Sequence, residues 1–153
     1  MGGGAVFRRV VVGVNGSELS RDALRWAAEE ARLRDCPLDV VYGWQVSTEP
    51  RPAGGERELV PPLDAYQRQA TERLEQVVAE TLSEELRDRV TVFVIHKPAG
   101  RALVSRAEGA DLLVVGSCTH GRLASWLLGS VSDEALQAAP CAVVLVRSGC
   151  VHS

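Results

Sequence analysis

The chain has 153 residues, 46% of them hydrophobic and 24% charged, with a formal net charge of −3. At about 100–200 residues per domain this is one domain, long enough to bury its own core. The balance excludes a largely disordered chain, no apolar run approaches the ~18–20 residues of a membrane span, and the basic residues are scattered rather than clustered as in a nucleic-acid binder.

The opening stretch puts Arg8 and Arg9 directly before a short apolar run and offers no small-residue cleavage site, which argues against a secretory signal and for a cytoplasmic location. That run, Val10–Val14, predicts a first strand. From Glu18 to Arg34 the residues Ala23, Leu24, Ala27, Ala28 and Ala31 recur at helical steps, with Ser17 or Ser20 as cap. Leu38–Tyr42 predicts a second strand. Residues 44–62 then interrupt the pattern with four prolines and two glycines, a length and composition that suit either a cover over a site or a passive loop.

A second helix is expected from Leu63 to Leu86, with Leu63, Tyr66, Ala70, Leu74, Val77 and Thr81 as its stripe. The alternating run Val90–Ile95 reads as an edge strand, Arg101–Glu108 as a third helix, Leu112–Val115 as a fourth strand, Ser130–Ala138 as a fourth helix and Ala142–Val146 as a fifth strand. Four of the five runs are nearly continuous in apolar residues, the mark of strands buried on both faces. Strand and helix alternating in this way specify an α/β fold with a parallel sheet and helices on both faces. Residues 1–153 form one unit, with 1–7 and 148–153 as expected tails.

Chemistry is sought in the loops after the strands, where open parallel sheets bind ligands. The lone Lys97 follows no glycine, so no phosphate loop of the G-x-x-x-x-G-K type is present. The cysteines Cys36, Cys118, Cys141 and Cys150 contain no C-x-x-C pair and read as reduced, mostly structural thiols. Cys118, at a strand end beside a glycine-rich loop, is the candidate for a reactive thiol. His96 reads as a strand-end histidine, and His120 lacks a carboxylate partner for general base work.

The stretch from Gly116 through Ser117, Cys118, Thr119, His120, Gly121 and Arg122, followed by Gly129-Ser130-Val131-Ser132, has two readings. Its glycines let a backbone approach phosphate and its serines open a helix with free N–H groups, which together make an anion site. Alternatively the glycines shape a turn and Ser130 caps a helix.

The run Val10-Val11-Val12-Gly13-Val14-Asn15-Gly16-Ser17, the run Ala110–Ser117, the segment Gly129–Ser132 and the ending Ala139–Val146 together resemble the universal stress protein family over nearly the whole chain. The resemblance implies a five-stranded parallel sheet in the order 3-2-1-4-5, commonly dimeric through the last strand, here Ala142 to Val146. It implies an adenine nucleotide site for ATP, AMP or ADP at Gly13, Asn15, Val41, Gly116, Ser117, Thr119, Gly121, Arg122, Gly129, Ser130, Val131 and Ser132, and a role as a stress-response switch or adaptor. Nucleotide-binding relatives follow the pattern Gly, two residues, Gly, nine residues, Gly, then Ser or Thr. Here Thr119 replaces the second glycine, and Asn15 stands where those relatives carry Asp, removing a carboxylate that helps hold Mg²⁺. A dimeric adaptor without nucleotide and a slow ATPase are the alternative readings; a placed base and a metal carboxylate, which an enzyme needs, are not visible.

Overall fold

The computed structural model describes residues 6–53, 61–118 and 130–148. Its elements are β1 (Val10–Gly13), α1 (Glu18–Arg34), β2 (Leu38–Gly43), α2 (Leu63–Thr81), α3 (Glu84–Arg87), β3 (Val90–Ile95), α4 (Ala99–Arg106), β4 (Leu112–Cys118), α5 (Ser130–Ala138) and β5 (Ala142–Ser148). The strands pair in parallel in the order β3-β2-β1-β4-β5, the architecture that the apolar runs and the resemblance imply. Among the described residues no helix is long and apolar enough to cross a membrane.

β1 is central because both of its faces are apolar. Val10, Val12 and Val14 join Leu38, Val40 and Val114 beneath α1 and α2, against Leu24, Ala27, Ala28, Leu74, Val77 and Val78. Val11 faces the other way, with Val41, Leu113 and Val115, and is covered by α4 and α5 through Ala102, Leu103, Ala107 and Ala135. β5 departs from the expectation of a strand buried on both faces. Val143, Val144, Leu145 and Val146 are only half-buried, because β5 is the last strand and α5 packs more on β4 than on it.

The expected helix from Leu63 to Leu86 is two helices. Leu82 adopts extended backbone (φ −112°, ψ 145°) and is buried in the core beside Leu74 and Val78. Burying a leucine is worth ~1.5–3 kcal/mol, more than a continued helical turn would return, and Ser83 with Glu84 and Glu85 starts a new turn at once. The next helix also begins two residues earlier than its apolar pattern suggests, at Ala99 after Pro98. Phe7, expected in a tail, packs under Arg34, whose guanidinium lies 4.0 Å from the ring centroid.

At the amino ends of the strands, buried Asp39 of β2 is held by Arg9 Nη1 at 3.1 Å and Arg106 Nε at 3.3 Å. Arg106 also covers Phe93 of β3, 3.8 Å from its centroid. A carboxylate in a strand otherwise apolar is tolerated only with such partners. This cluster sits at the end of the sheet opposite the loops that carry the candidate site.

Candidate functional site

The strand order reverses between β1 and β4: β2 and β3 continue to one side of β1, β4 and β5 to the other. The carboxyl ends of these strands surround a cavity of about 120 Å³ that opens to solvent. Gly13, Val14 and Asn15 form its floor at the end of β1, with Val41, Tyr42 and Gly43 on one side and Val115, Gly116 and Val131 on the other; α4 closes the first side with Ala99 and Leu103. The described lining is neutral and mostly aliphatic, its polar groups being Asn15, Ser17, Ser20 and Tyr42.

The turn from β1 into α1 satisfies its own backbone. Asn15 Oδ1 accepts the N–H of Ser17 at 3.0 Å, and Ser17 Oγ accepts the N–H of Ser20 at 3.2 Å, the N-cap of α1. Ser20 Oγ accepts from the N–H groups of Asn15 at 3.2 Å and Gly16 at 3.1 Å and donates to Ser17 O at 2.9 Å. Gly16 holds φ at 93°, a left-handed conformation that strains any residue with a Cβ. With these N–H groups engaged, the turn from Asn15 to Ser17 is not itself an anion cradle, and the start of α5 borders the cavity from the other side through Val131.

Two glycines set the cavity's shape. A Cβ on Gly43 would lie 2.8 Å from both Ala99 Cα and Lys97 O, so its absence lets the start of α4 close against β2. A Cβ on Gly116 would meet Leu19 Cγ at 2.7 Å, so Leu19 of α1 packs against β4 there.

Of the residues singled out in the sequence, Gly13, Asn15, Val41, Gly116 and Val131 come together on this cavity. The Val41 carbonyl already accepts the N–H of Val14 at 3.0 Å, which leaves one lone pair for a ligand. Ser132 is buried and donates its hydroxyl to Gly116 O at 3.1 Å, tying α5 to β4. Ser117 is fully buried with an unpartnered Oγ and is not among the cavity's lining. Ser130 begins α5. Thr119, His120, Gly121, Arg122 and Gly129 lie outside the described residues. Sequence reasoning missed Leu19, Tyr42, Gly43, Ala99 and Leu103; Gly43 alone carried a signal, a glycine closing an apolar strand.

The first part of the long segment after β2 is pinned. Trp44 is buried between His96, with ring centroids 4.1 Å apart, and Tyr66 at 5.8 Å, and its Nε1 donates to Gln67 Oε1 at 2.6 Å. Gln67 Nε2 in turn donates to Val94 O at 2.8 Å. Glu49, with its side chain 1% exposed, pairs with Arg73 at 3.0 Å and accepts the hydroxyl of Tyr42. Burial first, then this hydrogen bond and the charge of Glu49, push the Tyr42 phenol up to about 12. Tyr42 therefore touches both the cavity and the clamp on the segment, and His96 serves as the strand-end partner of Trp44.

Fold and cavity together define an α/β protein with an open crevice at the carboxyl ends of a parallel sheet, the place where such folds bind ligands. Residues 7–147 match the model of the universal stress protein family, and the chain belongs to that family. It is 33% identical over 141 residues to a universal stress protein of Mycolicibacterium smegmatis, covering 90% of this chain and 47% of that protein. Identity to a universal stress protein of Mycobacterium tuberculosis is 30% over 146 residues, covering 95% of this chain and 50% of the relative. The chain thus spans about half the length of the curated relatives it matches. Among solved structures, it is similar to a universal stress protein in complex with cAMP, at a TM-score of 0.59 and 26% identity over 93% of this chain and 98% of that one. UspA from Lactobacillus plantarum shares the fold at a TM-score of 0.66 and 19% identity, covering 94% of this chain and 100% of that one.

Proposed function

We propose that the chain binds an adenine nucleotide in this cavity and works as a dimeric regulatory module in the stress response, in the cytoplasm. The observation that carries the reading is an aliphatic crevice at the reversal of strand order, bounded on one side by the start of α5. A relative 26% identical to this chain in complex with cAMP supports the adenine class. The base lies against Val41, Gly43, Ala99 and Leu103, the apolar side of the lining. The phosphates, of ATP, ADP or AMP, extend toward Gly116 and the helix start at Gly129, Ser130, Val131 and Ser132, with Thr119, Gly121 and Arg122 closing over them. Asn15 is uncharged and no carboxylate stands in the described lining, so the described lining offers no charged ligand for Mg²⁺.

The outer edge of β5 has no partner strand among the described residues, and its valines are half-buried. An apolar edge of this kind invites pairing, and a second copy of the chain is its proposed cover.

The test is to heat-denature the purified protein, chromatograph the supernatant for released nucleotide, and titrate the emptied chain with ATP, ADP and AMP. Binding is expected, weakened by about 1 kcal/mol in Ser130→Ala, the usual net value of one hydrogen bond, and abolished in Gly129→Val, which blocks approach to the helix start. No binding of any of the three at millimolar concentration refutes the nucleotide reading and leaves a dimeric adaptor.

A further inference from the structure

Residues 44–50 do not line the strand-end cavity; among the described lining residues, the wall next to that stretch is Tyr42 and Gly43. The stretch lies instead along α2, fastened at three points. Trp44 Nε1 donates to Gln67, Gln69 Nε2 donates to Pro50 O at 2.9 Å, and the buried carboxylate of Glu49 pairs with Arg73 at 3.0 Å. Between these points the backbone makes one turn, in which the N–H groups of Thr48 and Glu49 donate to Gln45 O at 3.0 and 3.1 Å. A single turn does not persist by itself, so these hydrogen bonds last as long as Glu49 stays down.

Tyr42 touches both this fastening and the cavity. Its hydroxyl donates to Glu49, and the Arg73 guanidinium lies 5.2 Å from its ring centroid. The ring also packs against the cluster of Trp44, Tyr66 and Ala70. The open space beside it is the strand-end cavity and a smaller one of about 10 Å³, room for about one water, which it shares with Val14, Asn15 and Arg73. When Glu49 lifts away, the phenol loses its acceptor, and the space left for the ring to turn into is the space that a ligand fills. Ligand and released strap then compete for one volume, which is the differential contact that coupling between two sites requires.

We propose that residues 44–50 are a strap latched to α2 by Glu49 and Arg73, and that Tyr42 couples this latch to the cavity. An occupied cavity holds the strap down, and a released strap weakens binding; the inference rests on the nucleotide reading above. The strap acts through Tyr42 rather than by covering the site, and it carries the state of the cavity to the surface of α2.

The test is hydrogen exchange at the Thr48 and Glu49 amides of the full chain, with and without saturating ATP, ADP or AMP, joined to titration of the same nucleotides into Arg73→Gln and Glu49→Ala. Bound nucleotide should slow the two amides about tenfold in the natural chain. Without nucleotide, both variants should exchange them at least tenfold faster, and both should bind nucleotide about tenfold more weakly, equivalent to about 1.4 kcal/mol. The variants separate coupling from plain charge, because one removes a cation and the other an anion: a direct effect on an anionic ligand would lower affinity in Arg73→Gln and raise it in Glu49→Ala. Affinity changes of opposite sign, unchanged affinity in both, natural exchange rates at the two amides in the variants, or amides indifferent to bound nucleotide each overturn the inference and leave the nucleotide reading standing. Failure of the natural chain to bind any of the three nucleotides overturns both.

Discussion

Gly43→Ala adds one carbon at the point where α4 closes the cavity against β2. An ideal Cβ there would lie 2.8 Å from Ala99 Cα, 2.8 Å from Lys97 O and 2.9 Å from Ala102 Cβ. Two of these are backbone atoms, so no rotamer change relieves the contact and the start of α4 must move outward. Overpacking of a tight site costs about 1–3 kcal/mol, and immovable neighbours put this one near the top of the range. The narrower unfolded ensemble of Ala returns about 0.4–1 kcal/mol, for a net loss of about 2 kcal/mol. With a urea slope of about 2 kcal/mol per molar, the midpoint should fall by about 1 M. Because Ala99 and Leu103 line the cavity, ligand affinity should fall with it. Gly13→Ala is the control: the three atoms nearest its Cβ would be Leu103 side-chain carbons, the closest at 2.7 Å. These can turn aside, so the cost should stay below about 1 kcal/mol, less than a full overpacking penalty. A midpoint for Gly43→Ala within about 0.3 M of the natural chain, or an equal loss in both variants, would refute the reasoning.

The Tyr42 phenol is raised from its usual 10 to about 12, so the unfolded state ionises first. Its contribution to stability is complete below pH 10 and is lost as pH rises from there to about 12; urea midpoints measured across that window should fall. In Glu49→Gln the phenol should titrate lower than in the natural chain but still above the usual value, since burial is the larger cause, and ultraviolet titration of tyrosinate reads this directly. An unchanged titration would mean that Glu49 does not act on Tyr42. At the sheet edge, Val144→Lys should convert a dimer to monomer in sedimentation at micromolar concentration, and a dimer that survives the change rules out pairing through β5.

Strand runs, helix stripes and their alternation were legible in the sequence because they depend on neighbours a few residues apart. The extent of α1, with its Ser17 cap, and the whole of β3 follow from local periodicity and capping chemistry. The central place of β1 follows from apolar residues on both its faces, and the full order 3-2-1-4-5 was implied by the family resemblance. Gly13, Asn15, Val41, Gly116 and Val131 were implied for the site by the family resemblance, and each sits at a strand end or a helix start, where α/β folds bind ligands.

Tertiary structure decided what depends on distances between elements far apart in the chain. Leu82 breaks a helix whose periodicity runs on to Leu86, because core burial outweighs one more helical turn. Gly43 matters only because α4, some fifty residues later, arrives within contact of β2. Trp44 and Glu49 look like loop residues until Tyr66, Gln67, Arg73 and His96 are packed around them.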